Sequence, residues 1–472
     1  MNIPEKPADA IWTDDQWKAI QARGRDILVA AAAGSGKTAV LVERIIQRIL
    51  DEENPLNVDE LLVATFTNAS AAEMRHRIGV ALEKEIAAHP DSVHLRRQLN
   101  LLNHATISTL HSFCLEIVRK YYYLIDIDPG FRILDETEAV LLKDEAIENL
   151  LEEEYGKENN EAFFNVVDMY TNDRSDIDLQ NLILRLYEFS RANPNPDKWL
   201  HDLIANYDIK EGQSVEDLPF IKPLLFDLEL RLNEAKRFFE KGLELTKVPG
   251  GPYKRVENFQ NDLLLIDSII RAKNESFQAL YNIFQNIKFT TLKSCKGDEF
   301  IPELVEESKN FRNQGKKIIQ DLKEVLFSRK PETYLKDLRE MKQPVETLIR
   351  LVKSFAEKFN ELKKEKAVVD FSDLEHFALR ILGQPDESGI LRPTEAALSY
   401  QKQFKEVYID EYQDTNMLQE TILQLVKKPT EINGNLFMVG DVKQSIYRFR
   451  LAEPNLFLHK YLSFTHNGIN HG

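Results

Sequence analysis

Residues 26–38 read Asp-Ile-Leu-Val-Ala-Ala-Ala-Ala-Gly-Ser-Gly-Lys-Thr. The first half is a short apolar run that opens on a charge, the pattern of a strand buried on both faces. Residues 38–50 then place Leu41, Ile45, Ile46, Ile49 and Leu50 on one helical stripe. A strand, a glycine-rich turn and a helix in that order are the context in which Ala31, Ala32, Ala33, Gly34, Ser35, Gly36, Lys37 and Thr38 match a phosphate-binding loop. Backbone N–H groups in such a loop, with the helix N-terminus behind them, cradle phosphate oxygens. Lys37 is then expected on the β/γ-phosphates and the Thr38 hydroxyl on Mg²⁺. Ala31 stands where the first glycine usually does, which the backbone tolerates if it needs no positive φ there. The plain alternative is a chance glycine turn. The flanking strand and helix, and the Lys-Thr pair, weigh against it.

Working outward, residues 61–66 (Leu-Leu-Val-Ala-Thr-Phe) read as a second strand, followed by a helix over 69–87. A third strand at 105–109 and a third helix at 110–123 follow. Strands alternating with helices imply a parallel sheet covered by helices. From about 126 to 365 the chain changes to long charged amphipathic helices, punctuated by turns such as Pro249-Gly250-Gly251-Pro252. After about 368 the alternation returns, with strands at 406–409 and 435–439 flanking a helix near 415–426. The fold class expected is α/β: a parallel sheet interrupted by a large, mostly α-helical insertion.

The strand at 406–409 runs into Asp410-Glu411. At the carboxyl end of a parallel strand, adjacent carboxylates sit where ligands bind. Asp410 suits a Mg²⁺ shell, and Glu411 suits orienting and deprotonating an attacking water. Taken alone the pair is more simply a solvated turn; beside the phosphate loop the balance reverses. About 370 residues separate Lys37 from Asp410, too many for one compact nucleotide-binding domain, so the spacing independently requires an insertion.

The bulk composition is that of an ordinary globular chain: 472 residues, 43% hydrophobic and 29% charged, enough for roughly three domains. The longest apolar stretch, residues 27–33, is far short of the roughly 20 residues a membrane helix needs. The N-terminus lacks a basic region followed by an apolar core, so no secretory signal is visible and a cytoplasmic location is expected. Cys114 and Cys295 form neither a disulfide framework nor a metal set and read as small buried apolar residues. The net charge of −16 does not decide against nucleic acid, because binding depends on where Lys and Arg lie.

At this point the residues resemble a family. Asp410-Glu411-Tyr412-Gln413-Asp414-Thr415 is similar to motif II of the UvrD/Rep-type superfamily 1 DNA helicases, and residues 439–450 to their motif III. Thr65-Phe66-Thr67-Asn68-Ala69 resembles motif Ia, and Thr109-Leu110-His111-Ser112-Phe113 resembles Ib. Asp370-Phe371-Ser372-Asp373-Leu374 resembles the segment that returns to the motor lobe, and Trp12-Thr13-Asp14-Asp15-Gln16 the Q motif. Within the family, the loop 31–38, the segment 109–114 and the long helical interval are most similar to the AddA-type branch of the bacterial AddAB helicase–nucleases.

The resemblance implies a RecA-like P-loop motor lobe in two parts, 1–125 and 366–472, with a helical inserted domain at 126–365. It implies ATP and Mg²⁺ as cofactors, Gln16 on the adenine, and Gln444 as a γ-phosphate sensor acting with Lys37 and Glu411. Phe66, Thr67, Asn68, His111, Tyr447 and Phe449 would line the single-strand track, aromatic faces being what bases stack on. Singly, Phe66 is as readily a core residue, and His111 more readily a hydrogen-bonded structural histidine. The implied activity is DNA-dependent ATP hydrolysis driving translocation and unwinding in double-strand-break repair. The implied partners are DNA and, in a heterodimer, an AddB-like subunit. The family's second motor lobe and nuclease domain have no counterpart in these 472 residues. A truncated motor is therefore expected, one that binds ATP and does not unwind alone. Asn310-Phe311-Arg312 echoes a motif of the second lobe but lies inside the helical interval and reads as a solvated helix face. A non-motor ATP-binding module that switches partner contacts is the competing reading. An ABC- or SMC-type ATPase falls away because no Leu-Ser-Gly-Gly segment occurs.

Overall fold

In a computed structural model of the chain, residues 3–464 are described, apart from 9, 33, 172–174, 431–433, 442 and 444–450. In chain order the strands are β1 (Ile27–Ala30), β2 (Leu61–Thr65), β3 (Thr106–Thr109), β4 (Arg132–Ile133), β5 (Val368–Val369), β6 (Gly383–Pro385), β7 (Leu391–Pro393), β8 (Glu406–Ile409) and β9 (Leu436–Gly440). Five of them lie side by side in the order β1-β9-β8-β2-β3, every neighbouring pair parallel. The rest is mostly helical.

The three central strands β2, β8 and β9 are buried on both faces, which is why they read as largely apolar runs, whereas the edge strand β3 alternates. Leu62, Ala64, Val407, Ile409, Leu436 and Met438 enter one core, with Phe113 and Ile117 of helix Leu110–Tyr121 and Leu374 and Ala378 of helix Phe371–Leu382. Their neighbours Leu61, Val63, Tyr408, Phe437 and Val439 point the other way. There they meet Ile20 of α1 (Asp14–Gln21), Leu41 and Ile45 of α2 (Lys37–Ile49) and Met74 and Ile78 of α3 (Asn68–Ala88). The period of two along each strand thus sorts side chains between two helix layers. The expected strands and helices around the phosphate loop and the acidic pair all form, with ends displaced by one or two residues.

Local chemistry sets the helix starts. Thr13 and Gln16 make a reciprocal capping box on α1, and Thr67 caps α3 by accepting from Ser70 N at 3.0 Å. Asp370 and Asp373 box the start of helix Phe371–Leu382. That start is also tied to two other helices: Lys363 Nζ lies 3.0 Å from Asp370 and 2.5 Å from Asp373, and Arg191 Nη2 lies 3.0 Å from Asp373. Each charge is buried against an opposite one, the condition for tolerating it away from water. Pairing of β4 with β5 sets Arg132 opposite Val368, so the chain at the end of the first strand–helix run lies beside the chain that resumes it.

The chain divides into two compact units, Met1–Asn160 with Tyr170–Trp199 and Leu351–Gly472, and Glu161–Met169 with Leu200–Arg350. The second is helical, with a core that includes Leu232 and Phe239 of helix Ile221–Leu245 and Ile266 and Ile269 of helix Val256–Glu275. Ile319 and Leu322 of helix Pro302–Leu326 complete it. Arg312 corrects a sequence expectation. It is not on a solvated face but 3% exposed, bidentate to Asp262 at 2.5 and 3.1 Å and donating to Thr290 O at 2.9 Å. A charged residue on an amphipathic pattern reads as solvated unless its buried partner, here fifty positions away, is known. Cys114 and Cys295 are buried and unpaired, as expected. Among the described residues no helix is long and apolar enough to cross a membrane.

Candidate functional site

β1 ends at Ala30, and Ala31 N donates to Gly440 O at 3.2 Å, fixing the loop to the end of β9. Ser35 N closes a turn onto Ala32 O at 3.2 Å. Gly34 and Gly36 adopt φ of +75° and +79°, the left-handed region in which L side chains are strained, whereas Ala31 does not. The missing first glycine is therefore no obstacle. Gly36 is the N-cap of α2 and supplies no side chain, so the first-turn N–H groups are left for an acceptor outside the helix. A Cβ on Gly36 would meet only Gln16 Nε2, at 3.5 Å. Gly36→Ala is accordingly expected to destabilise by backbone strain alone, about 1–2 kcal/mol in chemical denaturation.

Lys37 carries the observation that most favours a ligand. Its Nζ is buried and has no hydrogen-bond partner among the described residues. A buried ammonium without acceptors is costly, and native chains keep one where an anion is to be bound. Thr38 follows it in the first turn of α2. Gln16 holds the loop from the side, its Nε2 donating to Ser35 O at 3.0 Å while its Oε1 accepts from Thr13 N at 2.9 Å.

The acidic pair lies at the same edge of the sheet. Asp410 N donates to Ala64 O at 3.0 Å, which continues the β8–β2 pairing and brings the carboxyl to the strand ends. Glu411 takes a left-handed conformation, φ 53° and ψ 46°, before a single 3₁₀ turn at Tyr412–Asp414. A non-glycine residue held there is strained, a feature that concentrates at functional positions. Burial, and then the Glu411 charge, push the Asp410 carboxyl up to about 6, against the pull of Lys37 and Arg77. Asp414 is pushed up to about 6 in the same way, by burial first and Glu411 second. Among the described residues no cluster of His, Cys, Asp or Glu is built to hold a metal by itself. One carboxylate and one hydroxyl are instead what Mg²⁺ takes from protein when substrate phosphates complete its shell.

A cleft of about 150 Å³ opens beside the pair, at the carboxyl ends of β2, β3 and β8. Phe66, His111, Asp410, Glu411 and Asp414 all line it. The structure thus brings two sequence-predicted track residues onto the same cavity as the acidic pair. Thr67 uses its hydroxyl to cap α3, and Asn68 is exposed in its first turn. His111 Nε2 lies 3.1 Å from the buried Glu375 Oε1, and its ring is tilted against Phe371 at 5.2 Å. Gln419 donates to the same Glu375 oxygen at 2.7 Å. Ala33, Gln444, Tyr447 and Phe449 lie outside the described residues. Sequence reasoning missed Glu375 and Gln413. Both lie in or next to segments already singled out, at 410–415 and 370–374, and only their partners across the fold mark them.

A parallel sheet with a glycine-rich turn into a helix after one strand and an Asp-Glu pair after another is an α/β architecture whose ligands are taken at the carboxyl ends of the strands. The chain belongs to the UvrD/REP helicase N-terminal domain family, whose model matches residues 12–465. It is 57% identical over 472 residues to the A-subunit of the ATP-dependent helicase/nuclease of Bacillus velezensis, covering all of this chain and 38% of that protein. The proteins of the same name from Bacillus licheniformis and Geobacillus thermodenitrificans are each 58% identical, over 99% and 98% of this chain. The chain spans less than two-fifths of the length of these relatives.

Proposed function

We propose that this chain is the ATP-binding motor lobe of an AddA-type DNA helicase–nuclease, a RecA-like P-loop lobe with the helical interval 126–365 inserted in it. In this reading ATP hydrolysis drives translocation on single-stranded DNA and unwinding in double-strand-break repair, in a heterodimer with an AddB-like subunit. The observation that carries it is the buried Nζ of Lys37, without a hydrogen-bond partner among the described residues, in a loop whose helix has no side-chain N-cap, at the sheet edge that also bears Asp410 and Glu411. Family membership and the relatives' names support the motor reading. The β4–β5 pairing supports the insertion.

The residues fit Mg-ATP. Lys37 and the N–H groups at the start of α2 would hold the phosphates, with Thr38 and Asp410 as the metal's protein ligands. When bound there, Mg²⁺ would supply positive charge to the phosphates these residues hold. Glu411 orients water and takes its proton. Gln16 is the proposed adenine contact, reached by exchanging one of its two present hydrogen bonds. Gln444 is the proposed γ-phosphate sensor. Phe66, Thr67, Asn68, His111, Tyr447 and Phe449 are the proposed single-strand track.

ATP hydrolysis with and without single-stranded DNA, measured on this chain and on a version that also carries a second motor lobe, tests this. A motor gives a DNA-stimulated rate in the two-lobed version; nucleotide binding with a rate indifferent to DNA in both would favour a switching module instead. On the track, Phe66→Ala is expected to weaken single-strand binding by about 1–3 kcal/mol, the worth of one stacked base, and to leave Mg-ATP affinity unchanged. Binding should weaken as salt rises, because phosphate contacts release counterions. Fluorescence anisotropy on a labelled oligonucleotide reads both effects.

A further inference from the structure

Two residues beyond Glu411, the side chain of Gln413 is 1% exposed and uses both ends of its amide. Nε2 donates to Glu411 Oε2 at 2.8 Å and to Asp414 Oδ2 at 3.3 Å. Oε1 accepts from Asp441 N at 2.9 Å. A carboxylate in this position has no proton to give, and an apolar chain of equal length offers neither function. Gly440 is shaped to the same contact: a Cβ there would stand 2.3 Å from Gln413 Oε1 and 3.0 Å from the Phe457 ring. The fold thus leaves out a side chain at the end of β9 so that this amide can reach the backbone beyond it.

From this geometry we propose that Gln413 is a positioning residue for ATP hydrolysis, setting the Glu411 carboxylate by tying it to the backbone at Asp441. The proposal rests on Glu411 being the group that orients the attacking water. Glu411 sits on a strained backbone and has a long side chain, so its carboxylate needs an outside partner to hold one rotamer. Gln413 supplies that partner and fixes it against β9, the strand to which the phosphate loop is bonded through Ala31. Misplacement of a catalytic group by a fraction of an ångström lowers the chemical step without touching substrate binding.

The test is a kinetic cycle on the intact protein with single-stranded DNA, using Gln413→Met, Gln413→Glu, Glu411→Gln and the Gln413→Met/Glu411→Gln double variant. Gln413→Met removes the hydrogen bonds without adding charge. It should lower kcat about tenfold or more while the Kd for Mg-ATP stays within about threefold. Gln413→Glu, which adds a carboxylate beside two others, should lower kcat further. In the Glu411→Gln background the Gln413→Met effect should vanish, because the group it positions is gone. An equal loss in both backgrounds, or a loss of Mg-ATP affinity in step with kcat, would overturn the positioning role and leave Gln413 a fold residue. If Glu411→Gln itself leaves kcat unchanged, the underlying reading of Glu411 is what fails.

Discussion

Replacing Lys37 by Ala is expected to weaken Mg-ATP binding by about 2–3 kcal/mol, or roughly 30- to 150-fold in Kd, the range for hydrogen bonds to charged groups. The ammonium is buried and has no hydrogen-bond acceptor among the described residues, so in the proposed reading phosphate oxygens are its partner. Two consequences separate this from general damage. The nucleotide-free Lys37→Ala protein should melt no lower than wild type, since the change removes a buried charge without breaking a hydrogen bond. The shift in melting temperature that saturating Mg-ATP gives the wild type should be largely lost, because ligand stabilisation follows affinity. A variant that melts early and binds weakly would mean that Lys37 supports the loop's structure instead.

Glu411→Gln should do the opposite. Mg-ATP affinity should hold, because Asp410 keeps its place on the Ala64 carbonyl and the amide fills the same volume. The amide's oxygen can still accept from Gln413 Nε2, as the Glu411 carboxylate does at 2.8 Å. What is lost is the base. The kcat for whatever ATP hydrolysis the chain shows is expected to fall about 10²- to 10⁴-fold, the usual worth of a positioned proton acceptor. A steady-state comparison of kcat and KM checks this; a rise in KM at unchanged kcat would place Glu411 in binding and not in chemistry.

Most of the sheet was legible because a strand buried on both faces leaves an unbroken apolar run, as at Leu61–Thr65. The turn at 31–38 was legible because Gly34 and Gly36 answer a local backbone demand that few other residues meet. What stayed hidden depends on contacts between distant positions. Arg312 looks solvated until Asp262 is placed beside it. Glu375 looks like any helix carboxylate until His111 and Gln419 converge on it. The two-residue strands β4 and β5 are too short to carry a period, and only their pairing shows where the chain returns. Gln413 was quoted within a motif, yet its role emerges only with Gly440, which no local pattern connects to it.

In the proposed reading Lys37, beyond the end of β1, and Asp410, beyond the end of β8, serve one Mg-ATP site. Calorimetric titration of ATP, with Mg²⁺ and then with a chelator, into wild type, Lys37→Ala and Asp410→Asn tests it most directly. Wild type should bind one ATP per chain, more tightly with the metal. Lys37→Ala should lose affinity in both conditions, and Asp410→Asn only the increment that Mg²⁺ adds. Mg-ATP binding as tight in Lys37→Ala as in wild type would contradict the account.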